Sequence, residues 1–97
     1  MERTYFLSLN FKTPRGIQTY GRYELGNDQQ FAESVYKQLN GRDDISGGAA
    51  LYMELTEVEN GVPYVQGVKH CTLEEFAENT RLIILQLFKH YGLEAAG

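Results

Sequence analysis

Asn60-Gly61 lies between two runs of residues that alternate in character, and it constrains the fold more than any other pair in the chain. A type I′ turn needs positive φ at both central residues, which Asn-Gly supplies at low steric cost, so the flanking runs are expected to pair as a hairpin. In the run before it, residues 49–58, Leu51, Met53 and Leu55 fall on one side, with Tyr52, Glu54 and Thr56 on the other. The run after it, residues 62–70, contains Pro63. Proline cannot donate to a ladder, so this strand is expected at a sheet edge.

A second hairpin is predicted upstream. Residues 3–11 place Tyr5, Leu7, Leu9 and Phe11 against Phe6, Ser8 and Asn10. A period of two with β-forming residues reads as a half-buried strand. Pro14 and Gly16 suit a tight turn. Residues 17–25 resume the alternation, Ile17, Thr19, Tyr23 and Leu25 against Gln18, Tyr20, Arg22 and Glu24. Gly21 in mid-strand signals a bulge or a close backbone approach.

Each hairpin runs into a helical period. Asn27 is a suitable N-cap with Gln30 three residues on, and Phe31, Ala32, Val35 and Leu39 follow at helical spacing with Tyr36 at the border. Asn40-Gly41 stops that helix. A second helix is predicted over about residues 73–91, closed by Gly92. The order is therefore ββαββα. The expected fold is an α+β two-layer sandwich, a four-stranded antiparallel sheet with both helices on one face.

Ninety-seven residues suit a single domain, and 42 % apolar content supports a packed core without metal or disulfide staples. Within it, residues 1–41 and 49–92 read as a ββα pseudo-repeat. DQQFAES at 28–34 matches LEEFAEN at 73–79, which fits either a duplication or convergence on good first-turn chemistry. Residues 93–97 are expected to fray.

The net charge is −4, which opposes electrostatically driven binding to nucleic acid or to an anionic membrane. The charge is uneven. Residues 1–26 hold Arg3, Lys12, Arg15 and Arg22 against two glutamates, while residues 43–60 hold Asp43, Asp44, Glu54, Glu57 and Glu59 with no cation. This segregation reads as a solvated surface or as an electrostatic complement between two copies or with a partner. The N-terminal run alternates and carries Glu2, unlike a signal peptide or a membrane span. The single cysteine allows no internal disulfide, so a cytoplasmic protein is expected.

KHCTLEEF, residues 69–76, gathers a histidine, the only cysteine and two glutamates. Thr72 and Glu75 fit a capping box, and Cys71 and Phe76 fit the two positions of a hydrophobic staple. Glu74 and Glu75 complement the helix dipole. A thiol near a helix N-terminus can be activated, but adjacent strand residues point to opposite sides, which places His70 and Cys71 badly for a dyad. No catalytic residue is assigned.

Metal-ligand spacings, phosphate-cradling glycine motifs and the GxSxG elbow are absent from the sequence, and no metal or cofactor is expected. Lys89 and His90 suit the last turn of the second helix.

Two features exceed what the fold requires. On the second helix, Phe76, Thr80, Ile83, Ile84, Leu87, Phe88 and Tyr91 form one wide stripe for the sheet, leaving Leu82 and Leu85 outside it. A helix apolar nearly all round is usually covered on more than one side. On the open sheet face, Phe6 is expected with Tyr20 and Tyr52. Base stacking there would need basic surroundings, which an acidic chain lacks.

The expected function is that of a small, non-catalytic association module, a homodimer or protein-binding unit, with Leu82, Leu85, Phe6, Tyr20 and Tyr52 as contacts. The alternative is a small-molecule binder or modest enzyme with polar groups from His70, Cys71 and Tyr64.

Overall fold

A computed structural model describes residues 2–43 and 50–92. The expected fraying of 93–97 and most of the loop before the third strand lie outside the described residues. The elements are β1 (Arg3–Thr13), β2 (Gly16–Gly26), α1 (Gln29–Gln38), β3 (Leu51–Glu59), β4 (Val62–Cys71) and α2 (Leu73–His90). The order is ββαββα, as the two switches from period two to helical period predict. The strands form one antiparallel sheet in the order β2-β1-β3-β4, with the Pro63 strand at an edge.

The first strands in each half, β1 and β3, pair at the centre with Leu7 opposite Leu55 and Leu9 opposite Met53. These residues face the helices. Together with Ala32, Val35, Phe76 and Ile83 they make the buried core. The helices run antiparallel to one another. Asn40, just after α1, meets Asn79 near the start of α2, and the Phe31 ring near the start of α1 stacks on His90 at the end of α2, centroids 3.8 Å apart.

Asn60 and Gly61 both take positive φ, 53° and 81°, as the hairpin required. The capping box of α2 is complete. Thr72 Oγ1 accepts from the amide of Glu75 at 3.1 Å, and the Glu75 carboxylate accepts from the amide of Thr72 at 2.9 Å. The first helix starts one residue later than expected. Asp28, not Asn27, is the cap, and its carboxylate accepts from the amides of Gln30 and Phe31. A carboxylate satisfies two amides at the positive end of the helix dipole, which an amide oxygen does less strongly.

That shift alters the internal comparison. Counted from Asp28 and Thr72, the buried positions coincide: Ala32 with Phe76, Val35 with Asn79, Leu39 with Ile83. The sequence match instead aligns Phe31 with Phe76, one position off. The register skips Leu25 and Tyr20 in β2 and Gln66 in β4; Tyr20 and Gln66 are each followed by a helix-facing glycine, Gly21 or Gly67, and the skip at Leu25 has no counterpart in β4.

The bulge has one consequence that the alternation alone does not reveal. It turns Tyr20 to the helix side, where its ring lies 4.2 Å from that of Phe11, and Phe11 in turn contacts Phe76. Thr19 takes the place on the open face that strict alternation gives to Tyr20.

Candidate functional site

The register of β4 sets Cys71 opposite Leu51 and His70 opposite Tyr52, so the two neighbours face opposite sides of the sheet. Cys71 is buried among the core residues. Its sulfur lies 3.5 Å from the carbonyl oxygens of Asn40 and Lys69, and Asn79 Nδ2 donates to it at the same distance. Burial pushes the thiol pKa up and Glu75 adds to the rise; the Asn79 bond and the charge of Lys69 work the other way. A neutral, enclosed thiol is a poor nucleophile.

His70 packs against Tyr52, ring centroids 5.7 Å apart, and its backbone pairs with Arg42 in both directions. Its Nδ1 is buried and has no hydrogen-bond partner among the described residues. Tyr64 is exposed and lies opposite Glu57, towards the other end of the strand. The structure therefore does not bring His70, Cys71 and Tyr64 together.

Around Cys71 it builds a junction instead. Asn79 Oδ1 accepts from the amide of Asn40 at 2.7 Å while Asn79 Nδ2 donates to the Asn40 carbonyl at 2.7 Å. Lys69 Nζ donates to the carbonyl of Leu39 at 3.0 Å and lies 4.9 Å above the Tyr36 ring. The two side chains satisfy groups left open where α1 ends, and the cation complements the negative end of its dipole. Asn79 was missed in the sequence. Its signal was a polar residue at the centre of an apolar stripe, between Phe76 and Ile83.

The open sheet face carries a shallow concavity lined by Phe6, Ser8, Thr19, Arg22, Glu54 and Thr56 among others. The Arg22 guanidinium lies 3.8 Å over the Phe6 ring. Asn10 takes a hydrogen bond from Thr19 at 2.7 Å and donates to Ser8 Oγ at 3.1 Å. Tyr52 belongs to this face by register yet is 8 % exposed, and burial pushes its hydroxyl pKa up. Of the three aromatics expected to project there, Phe6 is half-buried under Arg22, Tyr52 is buried, and Tyr20 is on the other side.

The segregated charges meet within the molecule, because the basic β1 and the acidic β3 are neighbours. Arg3 and Glu59 approach to 3.7 Å.

On α2 the two leucines separate. Leu82 is half-buried and packs against the core, whereas Leu85 is 45 % exposed. Residues Glu78, Asn79 and His90 meet α1 or the segment just after it, so Leu82 points towards α1 and is covered from that side. The opposite flank carries Ile84 at 41 %, Phe88 at 46 %, Tyr91 at 57 % and Leu73 at 72 % exposed. These residues, three of which the stripe assigned to the sheet, are the uncovered apolar surface of the helix. The width of the stripe was legible; the side on which α1 lies was not.

Among the described residues no cluster of three potential metal ligands occurs, and no helix is long and apolar enough to cross a membrane. Comparison with protein-family models, curated proteins and solved structures finds no match to this chain.

Proposed function

We propose that this chain is a non-catalytic association module, a cytoplasmic homodimer held together by the outer flank of α2. The observation that carries the reading is the run of exposed large side chains on that flank, Leu73, Ile84, Phe88 and Tyr91, with Leu85 beside it. A contiguous apolar surface on a small domain marks an interaction site more often than isolated apolar residues do. The edges of the sheet are less suited to pairing with another copy. Bulges interrupt both β2 and β4, and β4 carries Pro63.

The test is the solution mass by light scattering over a range of protein concentrations. Wild type is expected at twice the chain mass, and Ile84→Glu at the chain mass with an unchanged far-ultraviolet spectrum. A wild-type monomer at high concentration would remove self-association.

A further inference from the structure

Ser8, at the centre of the open sheet face, has opposite charges on its two sides. Arg22 of β2 and Glu54 of β3 are its cross-strand partners. Two strand spacings put their backbones about 10 Å apart. Side chains of that length could meet over a serine, yet among the described residues these two form no ion pair. Each is held by a partner of its own. The Arg22 guanidinium lies 3.8 Å over the Phe6 ring. That contact uses the face of the group and leaves its N–H edges without an acceptor among the described residues. Thr56 Oγ1 donates to one oxygen of the Glu54 carboxylate at 3.0 Å, and the other oxygen has no partner among the described residues. Ser8 Oγ accepts from Asn10 Nδ2 at 3.1 Å, so its own proton is available to a further acceptor. Arg22, Ser8 and Glu54 line the same concavity, which becomes apolar at Val58 and Pro63, towards the Asn60-Gly61 turn.

We infer that this concavity binds a small zwitterion, a free α-amino acid with an apolar side chain. Its carboxylate takes the N–H edge of Arg22 and the Ser8 hydroxyl, its ammonium takes the free oxygen of Glu54, and its side chain lies over Val58 and Pro63. The lengths agree. Carboxylate and ammonium on one carbon are about 3 Å apart, and a charge-assisted hydrogen bond of about 2.8 Å at each end extends the span to about 8–9 Å. That is close to the separation of the two strands that supply the charges. Phe6 and Thr56 hold the two receptors in place before the ligand arrives, which lowers the cost of ordering them. A ligand with one charge gains one contact and meets repulsion at the other: an anion faces Glu54, and a cation faces Arg22. The site therefore selects against simple anions and simple amines. It lies on the sheet face turned away from both helices, so it stands apart from any contact made by α2.

The test is titration of the full-length, nitrogen-15-labelled protein with L-valine, followed by amide chemical shifts. Saturable shifts are expected at Phe6, Ser8, Arg22, Glu54 and Thr56, and none along α2. N-acetylvaline lacks the cation and valinamide lacks the anion. Each is expected to bind at least about tenfold more weakly than valine, because each loses a charge-assisted bond. Arg22→Gln and Glu54→Gln should each weaken valine by a similar factor while leaving the amides of the helices unshifted. The comparison of the three ligands on wild type stands without either variant. No saturable shift up to the solubility of valine would overturn the inference. So would N-acetylvaline binding as tightly as valine, which would reduce the site to an anion contact at Arg22, and so would saturable shifts confined to another surface.

Discussion

Asn79 illustrates how a single residue can join two halves of the fold. Its amide group answers both the N–H and the C=O of Asn40 and also touches the thiol of Cys71. Removing the side chain leaves backbone groups at the end of α1 without partners, and such groups cost about 1–3 kcal/mol when they stay dry. Asn79→Ala is therefore expected to lower the unfolding free energy in urea by about 2 kcal/mol. An unchanged midpoint would show that water replaces the amide. The neighbouring thiol gives a second outcome. A thiol reagent should modify native Cys71 only as fast as the structure opens, with the rate rising steeply as denaturant is added.

Cys71, Tyr5, Tyr36 and Tyr52 share a pKa raised above the ordinary value, chiefly by burial. These groups lose protons in the unfolded chain before they do in the native one. Between the two pKa values the native state holds more protons, so stability falls as pH rises past the ordinary pKa of each group. Below that range their contribution is fully present. Denaturation midpoints measured from neutral to alkaline pH should decline, and Cys71→Ala should remove the earliest part of the decline. A midpoint that climbs with pH over this range would contradict the assignment.

At the scale of the element, the two bulge glycines occupy matching places but meet different surroundings. A side-chain carbon on Gly21 would touch Leu9 at 3.8 Å, an ordinary contact, whereas one on Gly67 would lie 2.5 Å from the Tyr36 hydroxyl oxygen. Gly21→Ala is expected to be neutral or to stabilise by up to about 0.5–1 kcal/mol, since glycine is costly within a strand. Gly67→Ala must displace the Tyr36 ring, at about 1–3 kcal/mol. Thermal denaturation of both variants, with Tyr36→Leu in each background, tests this; coupling should appear with Gly67→Ala and be absent with Gly21→Ala.

The same elements show what the residue pattern could carry. Alternation and helical period located all four strands and both helices, because each signal is local. Turn chemistry fixed both hairpins for the same reason. Gly21 signalled a bulge, but one skipped residue moves Tyr20 to the opposite face, and which residue is skipped depends on the pairing with β1. The cap of α1 slipped by one because Asn27 and Asp28 are both competent and the choice belongs to the folded helix. Only tertiary packing decided between Leu82 and Ile84 as the exposed residue.

At the scale of the whole molecule, that choice separates folding from assembly. Leu82 packs against the core from the side of α1, so Leu82→Glu forces a carboxylate against apolar neighbours and sacrifices their burial. The expected loss is about 2 kcal/mol or more, visible at every protein concentration. Ile84 lies on the flank away from α1, and Ile84→Glu should leave the stability of the isolated monomer within about 0.5 kcal/mol. A dimer adds a dependence that neither monomer shows. Association binds the native state and not the unfolded chain, so the melting temperature of wild type should rise with protein concentration. Ile84→Glu should melt at one temperature over the same range, near the wild-type value at high dilution. Leu82→Glu should melt well below it. If wild type also melts at a fixed temperature, the exposed flank of α2 is not held by a second copy. If Leu82→Glu melts with the dilute wild type, the packing of that leucine under α1 contributes little and Leu82 is no more part of the core than Ile84.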